Sequence, residues 1–232
     1  MLEAASSITP RIRRWITAFG FIAWSFAVGL GLLTLTAYDT APGAAALSPH
    51  AWPTDSRLAR ADDRATLVLM LHPHCPCSRA SVDELASLLP ELGDHVTTHV
   101  LLVAPQGTSA AWADTDLRAR VEALPDVQVT VDTGASEASR FGAVTSGQAY
   151  LFDADGTLRF NGGLTPARGH RGDSPARSAL LAAVTPDRGA PEATTPVYGC
   201  ALTGATAPPG MRDAWRSAIE AVRRRWYGDL HA

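Results

Sequence analysis

The sequence predicts an α/β domain, a central mixed sheet with flanking helices, preceded by one transmembrane helix. Three observations predict it. No charged residue occurs from position 15 to 38, a run of 24 residues. From position 65 onward, short apolar runs alternate with stretches of helical spacing, the signature of an α/β sheet. The last two runs, 149–153 and 158–161, are joined by Ala154-Asp155-Gly156, a turn with Asp-Gly at its centre that marks a β-hairpin.

The 232 residues are 46% apolar and 19% charged, enough for one ordinary domain with an appendage and unlike a disordered chain. A net charge of −3 excludes a nucleic-acid binder driven by bulk charge. All twenty basic residues are Arg, which together with the abundant Ala and Gly reads as composition bias rather than a recognition device. Three cysteines are too few for a disulfide scaffold, so any cysteine chemistry is local.

The uncharged run exceeds the roughly 20 residues that a helix needs to cross a bilayer. Trp15 and Tyr38 stand at its ends, where amphipathic rings prefer the interface. Arg11, Arg13 and Arg14 precede it, and the next basic residue is Arg57. That asymmetry puts residues 1–14 in the cytoplasm and the rest outside, on the periplasmic side of a bacterial inner membrane. A cleaved signal peptide is the alternative, with Ala44, Ala45 and Ala46 as a cleavage site, but signal cores run only about 7–15 residues. Residues 39–63, rich in Ala, Pro, Ser and Asp without a sustained period, read as a tether.

The domain proper spans 64–185. Residues 65–72 (ATLVLMLH) form a buried strand by their continuous apolar run. Residues 78–92 carry Val82, Leu85, Leu88 and Leu89 at helical spacing. A strand at 96–103, a helix at 114–124, a strand at 127–131 and a short helix at 135–141 follow. The hairpin and a closing helix at 174–184 complete the order β-α-β-α-β-α-β-β-α.

A strand running into a Cys-bearing turn and a helix, closed by a hairpin and helix, resembles the thioredoxin fold over about residues 64–185. The extra β-α unit is similar to its membrane-tethered TlpA-like and peroxiredoxin-like branches. More narrowly, His72-Pro73-His74-Cys75-Pro76-Cys77-Ser78, Arg168-Gly169-His170-Arg171-Gly172-Asp173 and Val197-Tyr198-Gly199-Cys200 resemble the bacterial RedB-like group. The resemblance implies thiol–disulfide exchange with protein or small-molecule thiols and disulfides, with no cofactor required, and makes Cys75 the nucleophile.

The physical chemistry of the turn agrees. The thiolate is the nucleophile, and a helix N-terminus favours an anion through its free N–H groups and dipole. Cys75 falls at the strand end and Cys77 just before the helix, with Pro76 preset for the first turn. Ser78 stands where a CxxC motif has its second Cys. Either Cys75 and Cys77 form a strained CxC disulfide, or Cys75 acts with Ser78 as a hydrogen-bond donor and Cys200 as a remote resolving thiol. Peroxidase chemistry fits poorly, because the peroxiredoxin pattern has Thr where this chain has His72.

A metal-binding module is the second reading. His72, Cys75 and Cys77 supply ligands that suit Cu(I) or Zn, and His170 is a further candidate; His74 serves better to tune the thiolate. The stretch Thr145-Ser146-Gly147-Gln148, where the fold family has a cis-Pro facing the reactive Cys, has no Pro, which also favours metal capture. Topology brings the loop 162–173 to the reactive end of the sheet, so Arg168, His170, Arg171 and Asp173 are expected near Cys75. Residues 186–232 form an extension carrying Cys200 and an amphipathic, Arg-rich helix (Met211, Trp215, Ile219, Val222, Trp226) expected to pack on the domain.

Overall fold

The computed structural model describes residues 9–44, 47–184 and 192–203. The chain divides after Ala41 into two units. The first is helix α1, Pro10–Thr40, whose 31 residues make it about 46 Å long at 1.5 Å per residue. An 18-residue window of mean hydropathy 1.9 and the lack of any buried residue in it make this helix long and apolar enough to cross a membrane. The hydroxyls of Thr17, Thr34, Thr36 and Thr40 each donate to a carbonyl three or four residues back, so these polar groups are satisfied within the helix itself.

The second unit is built on a six-stranded sheet. Its strands are β1 (Ala65–Leu71), β2 (Val96–Ala104), β3 (Val127–Thr133), β4 (Gln148–Phe152), β5 (Leu158–Gly163) and β6 (Ala193–Thr194). They lie in the order β3-β2-β1-β4-β5-β6, and β4 alone runs antiparallel to its neighbours. Strand β1 is buried throughout and apolar but for Thr66, because both faces are covered. Leu67, Leu69 and Leu71 pack under helices α2 (Pro76–Leu92), α3 (Asp116–Glu122) and α5 (Pro175–Val184), through Leu85, Leu88, Leu117, Val121 and Leu180. Val68 and Met70 face the other way, toward Phe141, Tyr150 and Phe152 beside the short helix α4 (Ser136–Arg140).

Helix α4 is too short to cover that second face, and the segment read as a tether does so instead. The Trp52 indole meets Phe141 and Phe152 edge-on, at 5.2 Å from each. The Trp52 backbone N–H donates to Gly156 O at 2.8 Å, and Leu158 N–H donates to His50 O at 2.9 Å. Further along, Ser56 Oγ donates to the buried Glu137 carboxylate at 2.8 Å, and the His99 ring nitrogen Nε2 donates to Ala59 O at 2.9 Å. Trp52→Ala is therefore expected to lower unfolding stability by about 2–4 kcal/mol. Denaturant unfolding of the full chain in detergent measures this, and a change under about 0.5 kcal/mol, as for an exposed substitution, would mean the segment contributes no packing.

The C-terminal extension also docks. Strand β6 pairs with β5, and Thr195 Oγ1 donates to Gly163 O at 2.9 Å. A Cβ on Gly163 would stand 2.7 Å from Pro196 O, so only glycine lets the segment lie this close. The amphipathic stretch expected at 211–226 lies outside the described residues.

Candidate functional site

Strand β1 ends at Leu71, and a turn closed by Cys75 N–H donating to His72 O at 3.0 Å leads into α2. Cys75 is the N-cap of α2 and Pro76 its first residue. The helix thus starts two residues earlier than the apolar spacing predicts, because Pro76 opens it without needing its missing N–H bonded. This moves Cys77 from the position before the helix into its first turn.

Cys75 is only 4% exposed, and its sulfur lies 2.8 Å from Cys200 Sγ. The Cys77 thiol interacts with both sulfurs, and all three residues are free thiols. One sulfur at a helix N-terminus therefore sits between two potential donors. Hydrogen bonds from Cys200 and then Cys77 hold the Cys75 thiol down to about 2, against the opposing effect of burial. The Cys77 and Cys200 thiols, whose protons are engaged on Cys75, are pushed up. Arg168 acts in the opposite sense on Cys200, its positive charge favouring the thiolate.

A closed ring of hydroxyl bonds fixes the turn against the loop before β4. His72 N–H donates to Ser146 Oγ at 2.9 Å, and Ser78 Oγ donates to His72 O at 2.9 Å. Ser78 has spent its proton on that carbonyl, so Ser146 donates in the 2.9 Å contact between the two hydroxyls. Ser78 therefore steadies the turn rather than donating to the Cys75 sulfur.

Backbone pairing brings in Cys200. Ser146 N–H donates to Cys200 O at 2.8 Å, Leu202 N–H donates to Val144 O at 2.9 Å, and Thr145 and Ala201 form an antiparallel bridge. Arg168 donates from Nη1 to Gly199 O. The loop after β5 thus reaches the site as its topology predicts, through Arg168. The rest of the loop turns to α2, where Arg171 pairs with Asp83 at 3.2 Å and Gly172 N–H donates to Glu84 at 2.8 Å.

The histidines stand otherwise than a ligand set requires. His72 Nδ1 accepts from His74 N–H at 3.2 Å, and its ring meets Trp112 edge-on at 5.1 Å. Burial lowers its pKa, and the nearby Cys75 opposes that to a lesser degree. His74 Nε2 donates to Trp112 O at 2.8 Å, so this ring is engaged away from the thiols. His170 is exposed, with no side-chain hydrogen bond or ion pair among the described residues. Among those residues, no group of three or more His, Cys, Asp or Glu is arranged to hold a metal ion. Two thiolates bound to one ion at about 2.3 Å stand nearly 4 Å apart, further than Cys75 and Cys200. That pair as it stands is too close to share one tetrahedral ion.

Trp112 and Ser146 carry no motif in the sequence. Ser146 does fall in the stretch 145–148 that topology aims at the Cys turn, and that is the one signal that pointed to it.

No protein-family model matches the chain, and no curated protein matches it. Among solved structures, it is similar to a hypothetical protein from Sinorhizobium meliloti 1021, at 23% identity and a TM-score of 0.53, over 72% of this chain and all of that one. An uncharacterized conserved protein from Geobacillus kaustophilus is 19% identical with a TM-score of 0.49, over 72% of this chain and 95% of that one. A secreted Mycobacterium tuberculosis disulfide oxidoreductase is 13% identical with a TM-score of 0.37, over 53% and 81%. The strand order, the single antiparallel strand β4 and the Cys turn opening α2 define a thioredoxin-like fold. It follows an N-terminal helix apolar enough to span a membrane.

Proposed function

We propose that this chain is a membrane-anchored, exported thiol–disulfide oxidoreductase in which Cys75 attacks and Cys200 resolves. The observation that carries the reading is the 2.8 Å contact between the Cys75 and Cys200 sulfurs, with Cys75 at the N-terminus of α2. The Cys75 thiolate attacks one sulfur of a substrate disulfide, forming a mixed disulfide and releasing the other half as a thiolate. Cys200, its proton passing to the released thiolate, then attacks Cys75 Sγ, closing a Cys75–Cys200 disulfide and releasing the second half as a thiolate. The substrate gains two electrons and the chain loses two; an external dithiol restores it. Cys77 stays a thiol, its proton engaged on Cys75.

The charge asymmetry about α1 supports a cytoplasmic N-terminus and a periplasmic domain at a bacterial inner membrane. The three motifs quoted above support the narrower RedB-like assignment. The test equilibrates the full chain in detergent across glutathione redox buffers, then reads each thiol by differential alkylation and mass spectrometry. The expected product is a Cys75–Cys200 disulfide with a midpoint between about −120 and −270 mV. Three free thiols across that range would sink the reading.

A further inference from the structure

We propose that residues 197–202 form a movable arm that covers Cys75 and carries Cys200, so that an external disulfide reaches Cys75 only when the arm lifts. The proposal rests on the exchange reading above and adds how that site is gated.

The argument begins with space. Each exchange step needs the attacking, central and leaving sulfurs nearly in line. In the first step Cys75 attacks outward, yet it is 4% exposed and Cys200 Sγ stands 2.8 Å away. In the second step Cys200 must be where it now lies. The first step thus needs Cys75 uncovered, and the structure holds the closed arrangement that the second step uses.

The arm's attachments suit a part that leaves and returns. It is held by Ser146 N–H to Cys200 O, Leu202 N–H to Val144 O, Arg168 to Gly199 O and Gly43 N–H to Val197 O, with Val197 and Leu202 buried as its anchors. At the Cys200 end the first two bonds make a single β-bridge rather than a strand ladder, and such local contacts open at lower free energy than a core sheet. The ring joining His72, Ser146 and Ser78 uses side-chain oxygens and two backbone groups of His72, none of which the arm engages. The Cys turn and the Val144–Ser146 edge therefore stay joined when the arm departs. Gly199 sets the docked distance, because a Cβ there would overlap the Ser146 carbonyl oxygen.

Gly199→Ala in the full chain loosens the arm without altering a cysteine. Alkylation of Cys75 by a bulky maleimide is expected to quicken by about tenfold, the effect of roughly 1.4 kcal/mol lost from docking. The Cys75–glutathione mixed disulfide is expected to persist longer, because Cys200 returns less often. An unchanged alkylation rate in a folded Gly199→Ala protein would overturn the arm. If that variant does not fold, hydrogen exchange on the wild-type chain decides. Peptides spanning 144–147 and 198–203 should exchange faster in the dithiol form than in the disulfide form, where a covalent bond keeps the arm down. Equal protection in the two forms would refute the proposal. Absence of the Cys75–Cys200 disulfide in the redox titration is the separate result that removes the exchange reading itself.

Discussion

Cys200→Ser is expected to abolish the intramolecular disulfide and trap Cys75 as a mixed disulfide with glutathione, whereas Cys77→Ser leaves the disulfide intact. The Cys200 sulfur, 125 residues away in sequence, is already in contact with Cys75 and is held there by the Thr145–Ala201 bridge. A thiol so placed competes with a free thiol at an effective concentration that solution thiols do not reach, so resolution should slow by on the order of 10²-fold or more. Cys77 occupies the first turn of α2, and a bond to Cys75 across one residue would have to distort that turn. Mass spectrometry of the two single variants after oxidation separates the alternatives. A disulfide lost in Cys77→Ser and kept in Cys200→Ser would reverse the assignment and restore the CxC pair.

The second large effect is on the pH dependence of the reduced protein. The folded Cys75 thiol is held at about 2 by hydrogen bonds from Cys200 and Cys77, against an unfolded value near 8.5. Its contribution to stability is full above the unfolded value and is lost as pH falls toward the folded one. The Cys77 and Cys200 thiols are raised, so their contributions are full below the unfolded value and are lost as pH rises toward their folded ones. The dithiol form is therefore expected to be most stable near the ordinary thiol range and to weaken on both sides. The disulfide form has neither the Cys75 nor the Cys200 titration and serves as the reference. Denaturant unfolding of both forms across pH should show the dithiol advantage shrinking steadily toward acid. A difference that stays flat with pH would show that Cys75 is no thiolate in the folded dithiol state, and one thiolate per chain by ultraviolet absorbance at neutral pH is the matching positive result.

Much of the scaffold was legible in the sequence because its signals are local. The apolar run of β1, the spacing of Val82, Leu85 and Leu88 in α2, and the Asp155-Gly156 turn each depend on neighbours a few residues apart. Each predicted strand and helix between 65 and 184 appears within about three residues of its expected bounds. The topology that follows from their order also carried the loop after β5, with Arg168, to the reactive end. The start of α2 was misplaced because apolar spacing marks the buried face of a helix and not its cap, and Cys77 was misplaced with it.

The sequence by itself determined the alternation that builds the sheet, the uncharged helix α1 and the Cys-Pro-Cys turn at a helix N-terminus. Tertiary structure decided what irregular segments do. Residues 47–63 carry no period, yet they cover the sheet because α4 leaves Phe141, Tyr150 and Phe152 needing a partner that Trp52 supplies. Ser146 becomes a link in the site only through β1 and β4 standing side by side. His170 and Cys200 lie in loops of similar composition, and one ends in solvent while the other meets Cys75. The difference is made by backbone hydrogen bonds to residues 144–146 and by glycines that permit the approach. Pairings over that distance leave no trace in local spacing, since the partner that satisfies each group is chosen only when the sheet has formed.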